Sequence, residues 1–154
     1  MTTDITQHPA CRPVSALECA DVNHASVEDI RAAASLLHTI ARHTRQPITP
    51  TWLYFVARVG QAQADDIEYT TDLWRRLPVE PLPAADHQAI AEHVASIRRL
   101  AKHLAACGDA ADICPPSREH VADALTDWLA TADALDQAIS AAWTACRAGL
   151  DPAA

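Results

Sequence analysis

Residues 117–149 read SREHVADALTDWLATADALDQAISAAWTACRAG, and this stretch decides the fold. Its apolar side chains recur at alternating steps of four and three residues, which places them on one face of a helix. That face comprises Val121, Leu125, Trp128, Ala132, Leu135, Ile139, Ala142 and Cys146. Ser117 is suited to cap the helix at its start, and Gly149 is suited to end it. The pattern predicts a helix over about 117–148.

Three further amphipathic segments precede this helix, with predicted limits of about 27–45, 50–77 and 84–107. Ser26 stands before the first as an N-cap, and Pro50 occupies the favoured first position of the second. Prolines and short polar stretches separate the segments. Four helices of similar length with short connections predict an all-α protein, an antiparallel four-helix bundle that forms one domain over 26–150.

The segment before this domain, residues 1–25, has a different character. It contains Pro9, Pro13 and two cysteines and shows no sustained periodicity. Such a segment is typical of irregular structure. We therefore expect an irregular N-terminal arm over 1–25.

Composition excludes several classes of function. The 154 residues include 20 acidic and 12 basic ones, and the resulting net charge of −8 repels nucleic acid and anionic lipid. No apolar run approaches the roughly 20 residues that span a bilayer. The five cysteines are an odd number without a secretory signal, which favours reduced thiols and a cytoplasmic location. The residue bias, with Lys102 as the single lysine, is typical of a bacterial genome rich in GC.

A polar interruption marks the second helix. A helical projection places Gln63, Asp66 and Thr70 on the same face as Trp52, Phe55, Val59 and Trp74. A carboxylate in a bundle core needs a partner, and His93 or Arg98 of the third helix is expected to supply it, with Arg98 preferred. We interpret these residues as a polar layer that fixes the register of the helices. A pocket for a small ligand is the alternative.

Histidine and cysteine side chains form two candidate zinc clusters. One consists of His103, Cys107, Cys114 and His120 around the connection between the third and fourth helices. The other consists of His8, Cys11, Cys19 and His24. Either set offers four ligands of the kind that zinc binds, although neither contains the close Cys-x2-Cys pair of common zinc motifs. Surface histidines and inert thiols are the competing interpretation. A di-iron centre is excluded because the sequence has no Glu-x-x-His motif.

Aromatic residues are candidates for contact with a partner. Tyr54 projects from the polar side of the second helix, whereas Trp52 and Trp143 fall near the ends of the bundle. A tryptophan on an apolar face is ordinarily a core residue, and an anchor for a partner protein is the alternative. The long periodicity of the fourth helix also permits a homodimer.

The sequence contains no glycine-rich phosphate loop, serine-centred elbow or His-Glu-x-x-His motif, which argues against an enzyme. The function that these observations favour is an interaction or regulatory module that binds protein partners or itself. The alternative is a helical bundle that binds zinc or a small ligand.

Overall fold

Four helices make up the part of the chain that the computed structural model describes, residues 15–148. They are α1 (Ala16–His43), α2 (Pro50–Arg75), α3 (Ala84–Asp109) and α4 (Arg118–Ala148). Each helix packs against its neighbours in the chain, and α4 returns to pack against α1. No strand occurs within these residues. The predicted all-α four-helix bundle is confirmed.

Side-chain contacts show that neighbouring helices are antiparallel. Early residues of α1 meet late residues of α4, as in the pair of His24 with Asp136, while Arg42 near the end of α1 meets Asp123. In the same way, Tyr54 at the start of α2 contacts Asp109 at the end of α3. None of the four helices is both long enough and apolar enough to cross a lipid bilayer.

The first helix begins about three turns earlier than the sequence analysis predicts. Its N-cap is Ser15, whose hydroxyl accepts a hydrogen bond from the amide of Glu18 at 3.2 Å, whereas Ser26 is buried within the helix. The early turns bury only small or polar side chains, including Cys19 and Asn23, so they lack the large apolar residues that reveal a helix. Residues 16–25 of the expected irregular arm are therefore helical, and 1–14 lie outside the described residues.

The buried face of α2 also differs from the predicted one. It comprises Leu53, Val56, Ala57, Gly60, Ala64, Ile67, Thr70, Thr71 and Trp74. Phe55 is 48% exposed, because the face that packs inward is rotated toward the small residues. The reason is Trp128 of α4: a Cβ atom at Gly60 would lie 2.3 Å from its ring, so only glycine leaves room for the indole.

One arginine joins α4 to the end of α1. The guanidinium of Arg118 donates hydrogen bonds to the carbonyl oxygens of Ile40, Thr44 and Gln46. Carbonyls at the end of a helix have no partner within the helix, so this side chain caps α1 from the first turn of α4. The position of that first turn is thereby fixed.

Candidate metal centre and neighbouring surfaces

Three of the four predicted zinc ligands come together at one end of the bundle. His103 and Cys107 are four residues apart on α3, so their side chains lie on the same face of the helix. His120 belongs to the first turn of α4, where its amide donates to the Ser117 hydroxyl at 3.0 Å. This N-cap, which the sequence predicts, starts α4 at the point that brings His120 opposite His103.

The distances between the donor atoms suit a single metal ion. The two Nε2 atoms of His103 and His120 are 2.8 Å apart, and Cys107 Sγ lies 3.9 Å from His103 Nε2. All three donor atoms lie within 4.8 Å of one another. Tetrahedral zinc with ordinary bond lengths requires about 3.3 Å between two nitrogens and about 3.6 Å between nitrogen and sulfur. Small side-chain rotations therefore suffice to place all three atoms on one zinc ion.

The exposure of the three side chains is unequal. Both histidines are exposed, whereas Cys107 is half-buried and packs against the core. Burial raises the pKa of the Cys107 thiol above its ordinary value. A metal that binds the thiolate must therefore displace a proton, and metal affinity should fall as the pH is lowered.

The fourth predicted ligand, Cys114, lies outside this cluster. It is exposed, and its amide donates to the carbonyl of Ala110 at 2.7 Å, so the chain continues in a helical turn beyond α3. The predicted four-ligand site is thus assembled in part: the Cys114 thiol is not among the donor atoms that lie within 4.8 Å of one another.

The second predicted zinc cluster is not assembled within residues 15–148. Cys19 is completely buried, and burial raises the pKa of its thiol to about 11. His24 instead contacts Asp136, with 2.5 Å between Nδ1 and a carboxylate oxygen. His8 and Cys11 lie outside the described residues.

Asp66 is not a core residue, which corrects the predicted polar layer. It is exposed and makes no ion pair with any described residue, because the rotation of α2 turns it toward solvent. Arg98, its expected partner, pairs with Asp65 and Glu68 instead. Gln63 and His93 are half-buried, and Thr70 is buried.

Buried polar groups nevertheless lie between α1 and α2, where the sequence analysis did not expect them. Asn23 is completely buried, and its amide nitrogen donates to the Thr71 hydroxyl at 3.3 Å. The amide oxygen of Asn23 has no hydrogen-bond partner among the described atoms. The polar layer therefore contains amide and hydroxyl groups and no carboxylate.

Two of the surface grooves are further places for a ligand or partner. A groove of about 310 Å³ between α2 and α3 is lined by Ile90, Val94 and Arg98 among others. A second groove, of about 350 Å³, lies between α1 and α2 and is lined by Leu36, Phe55 and Val59 among others. The sequence analysis missed the second groove because it assigned Phe55 and Val59 to the core.

The predicted aromatic contact residues lie in three different settings. Tyr54 is 37% exposed, and its hydroxyl donates to the Asp109 carboxylate at 2.6 Å. Trp52 is half-buried and meets Phe55 edge-on, with 6.4 Å between ring centroids. Trp143 is half-buried beneath the guanidinium of Arg147. Tyr54 lines a further groove with Ala101 and Ala105 of α3, whereas Trp52 contacts Phe55 at the edge of the groove between α1 and α2.

A four-helix architecture is compatible with many functions, so the fold alone does not specify this one. Two features point to a function more specific than the fold. They are the three clustered donor side chains and the apolar groove between α1 and α2. The chain matches no known protein-family model, no curated protein and no solved structure.

Proposed function

We propose that this protein is a helical bundle that binds a transition metal, with His103, Cys107 and His120 as ligands and zinc as the metal. The observation that carries the proposal is the convergence of two imidazoles and a thiol, from two helices, within 4.8 Å. Imidazole and thiolate donors suit zinc and related transition metals, whereas magnesium and calcium prefer oxygen ligands.

The packing of α3 against α4 holds these donors together. Two of them are fixed by their spacing on α3, and the third is fixed by the Ser117 cap and by the Arg118 contacts two residues before it. Binding at a preformed site does not require the ligands to be ordered first, which lowers its cost. A thiolate ligand also requires reducing conditions, and we place the protein in the cytoplasm for that reason.

Titration with cobalt tests the proposal. Protein stripped with a chelator is titrated with Co²⁺, which replaces zinc and whose bond to thiolate gives a charge-transfer band in the near ultraviolet. We expect one Co²⁺ per chain, a charge-transfer band, and loss of the band when Zn²⁺ is added. Cys107→Ser should abolish the band, and His120→Ala should weaken binding at least tenfold, in line with the loss of one of three ligands.

Two variants control for non-specific binding. His43→Ala removes an exposed histidine at the end of α1, and Cys114→Ser removes an exposed thiol near the site. Both should bind Co²⁺ like the unaltered protein. An absence of binding, or a band that persists in folded Cys107→Ser protein, would overturn the proposal.

A second function is supported by the groove between α1 and α2. Phe55 and Leu36 are each 48% exposed there, and Asp29 at the same groove has no ion-pair partner among the described residues. An exposed apolar floor beside an unpaired carboxylate fits an amphipathic helix with basic residues on its flank. The partner we propose is such a helix from another protein.

Binding of a synthetic leucine- and lysine-rich helical peptide tests this second function. We expect binding that weakens at least tenfold in Phe55→Ser, whereas Tyr69→Ser, a change at another exposed aromatic of α2, should leave it unaltered. Equal weakening in both variants would mean that the peptide binds exposed aromatic side chains without preference for this groove, and no weakening in either would mean that charge alone attracts it. Sedimentation of the protein alone distinguishes a second copy as the occupant: a dimer that Phe55→Ser dissociates would replace the proposed partner.

A further inference from the structure

We infer that the metal at this centre keeps one coordination position open to solvent and that this position accepts an external thiolate. This inference rests on the proposed metal site and adds the class of ligand that the site takes. Three protein ligands with a fourth position open are typical of zinc sites that exchange ligands, whereas structural zinc sites have four protein ligands.

The described residues supply three donors and no fourth. No other histidine, cysteine, aspartate or glutamate between residues 15 and 148 places a ligand atom in the same cluster. Zinc in proteins is almost always at least four-coordinate. Residues 15–148 therefore leave the remaining position to water or to another ligand from outside this part of the chain.

Cys114 lies outside the cluster of three donors, and its backbone is held there. Hydrogen bonds from the amides of Ala111, Ile113 and Cys114 to carbonyls of Gly108 and Ala110 continue the helical path beyond α3. Pro115 and Pro116 follow at once and restrict the backbone on the other side. The hydrogen bonds and the two prolines therefore restrain the backbone on both sides of Cys114.

Charge and access favour an anion as the external ligand, and the affinity of zinc for sulfur selects a thiolate among anions. Zn²⁺ bound by one thiolate and two neutral imidazoles carries a net charge of +1, which an anion neutralises. Both histidines are exposed, so the fourth position is accessible to a solute. In the exchange, the thiol releases its proton to solvent, its sulfur binds the metal, and one water leaves; no electron is transferred.

Cobalt-loaded protein and 2-mercaptoethanol test the inference, with Cys114→Ser as the matched variant. We expect the charge-transfer absorption of both proteins to be equal at first and to increase by the same amount, toward twofold, as a second thiolate binds. Metal retained after ultrafiltration should stay at one ion per chain. The absorption lost in Cys107→Ser measures the part of the band that the protein's own thiolate contributes.

Three outcomes would refute the open coordination position and leave the proposed metal site standing. A lower initial band in Cys114→Ser would show that Cys114 occupies the position. An unchanged band in both proteins would show that the position is closed to thiols, and loss of cobalt on ultrafiltration would show that the thiol removes the metal. Failure to bind cobalt at all would instead refute the proposed function.

Discussion

Gly60 illustrates how one missing side chain positions a large one. The Trp128 ring occupies the space where a Cβ atom would stand, and the indole is completely buried. Gly60→Ala gains about 1 kcal/mol of helix propensity but overpacks the core, which costs about 1 to 3 kcal/mol. We expect net destabilisation of up to about 2 kcal/mol in urea unfolding.

Gly108→Ala provides a matched control. A Cβ atom there would lie 2.9 Å from the ring of Tyr54, a side chain that is partly exposed and free to move outward. The gain in helix propensity should then offset most of the cost, and stability should stay within about 0.5 kcal/mol of the unaltered protein. Equal losses of stability in Gly60→Ala and Gly108→Ala would contradict the inference that the Trp128 ring requires a glycine at position 60.

The buried thiol of Cys19 makes stability depend on pH above neutrality. Its pKa rises from 9.0 to about 11 on folding, so the folded chain holds a proton that the unfolded chain loses between these values. The stabilisation is complete below pH 9 and declines as the pH rises toward 11.

We therefore expect the stability difference between the unaltered protein and Cys19→Ala to narrow by about 1 to 2 kcal/mol from pH 8.5 to 10.5. Urea unfolding of both proteins at the two pH values measures it. A difference that stays constant across this range would show that the thiol ionises equally in the folded and unfolded chains.

At the scale of the helix, Arg118 links two elements that are distant in sequence. Its guanidinium satisfies carbonyls of Ile40, Thr44 and Gln46 at the end of α1. Charged hydrogen bonds contribute about 1.5 to 3 kcal/mol where water is excluded, and this site is only half-buried. Arg118→Ala should therefore destabilise the protein by about 1 to 2 kcal/mol.

Arg42→Ala serves for comparison, because Arg42 forms an exposed ion pair with Asp123 at 3.0 Å. Exposed pairs contribute little, so the loss should stay below about 1 kcal/mol. Thermal unfolding of both variants decides the matter, and a larger loss from Arg42→Ala than from Arg118→Ala would be inconsistent with a capping role.

The helices illustrate what the sequence could predict. Proline positions and the Ser117 cap located the starts of α2, α3 and α4, because these signals act within one turn of the chain. The start of α1 was missed because Ser26 and the acids after it resemble an N-cap, while the true early turns bury alanine, cysteine and asparagine.

The rotation of α2 was unpredictable for a different reason. Periodicity weighs large apolar side chains such as Phe55, but the inward face is chosen by what fits against α4, and the bulky Trp128 requires Gly60 there. That fit depends on a residue 68 positions away in the sequence. Asp66 was placed in the core by the same error.

For the molecule as a whole, metal binding should appear as added stability. If zinc binds only the folded chain, a free zinc concentration of 100 times Kd raises the free energy of unfolding by about 2.7 kcal/mol. We expect a matching increase in Tm that a chelator reverses and that His120→Ala removes.

Magnesium is the control for charge, because the net charge of −8 attracts any divalent cation. At the same concentration it should raise Tm by much less than zinc, since it prefers oxygen ligands. Equal increases would indicate general charge screening in place of a specific site.

The candidate site could be predicted only in part. The spacing of His103 and Cys107 follows from helical geometry, and the Ser117 cap placed His120 in the first turn of α4. The position of Cys114 could not be derived, because it depends on hydrogen bonds in a connection that has no periodic pattern.

Arg118 and His120 belong to the same turn of α4, so the proposed metal ligand is linked through Arg118 to the end of α1. Any ion that holds His120 in place should also hold Arg118 against the carbonyl groups of α1. The last turn of α1 contributes no donor to the cluster, yet the amide hydrogens of residues 40–44 should exchange more slowly with deuterium when zinc is bound.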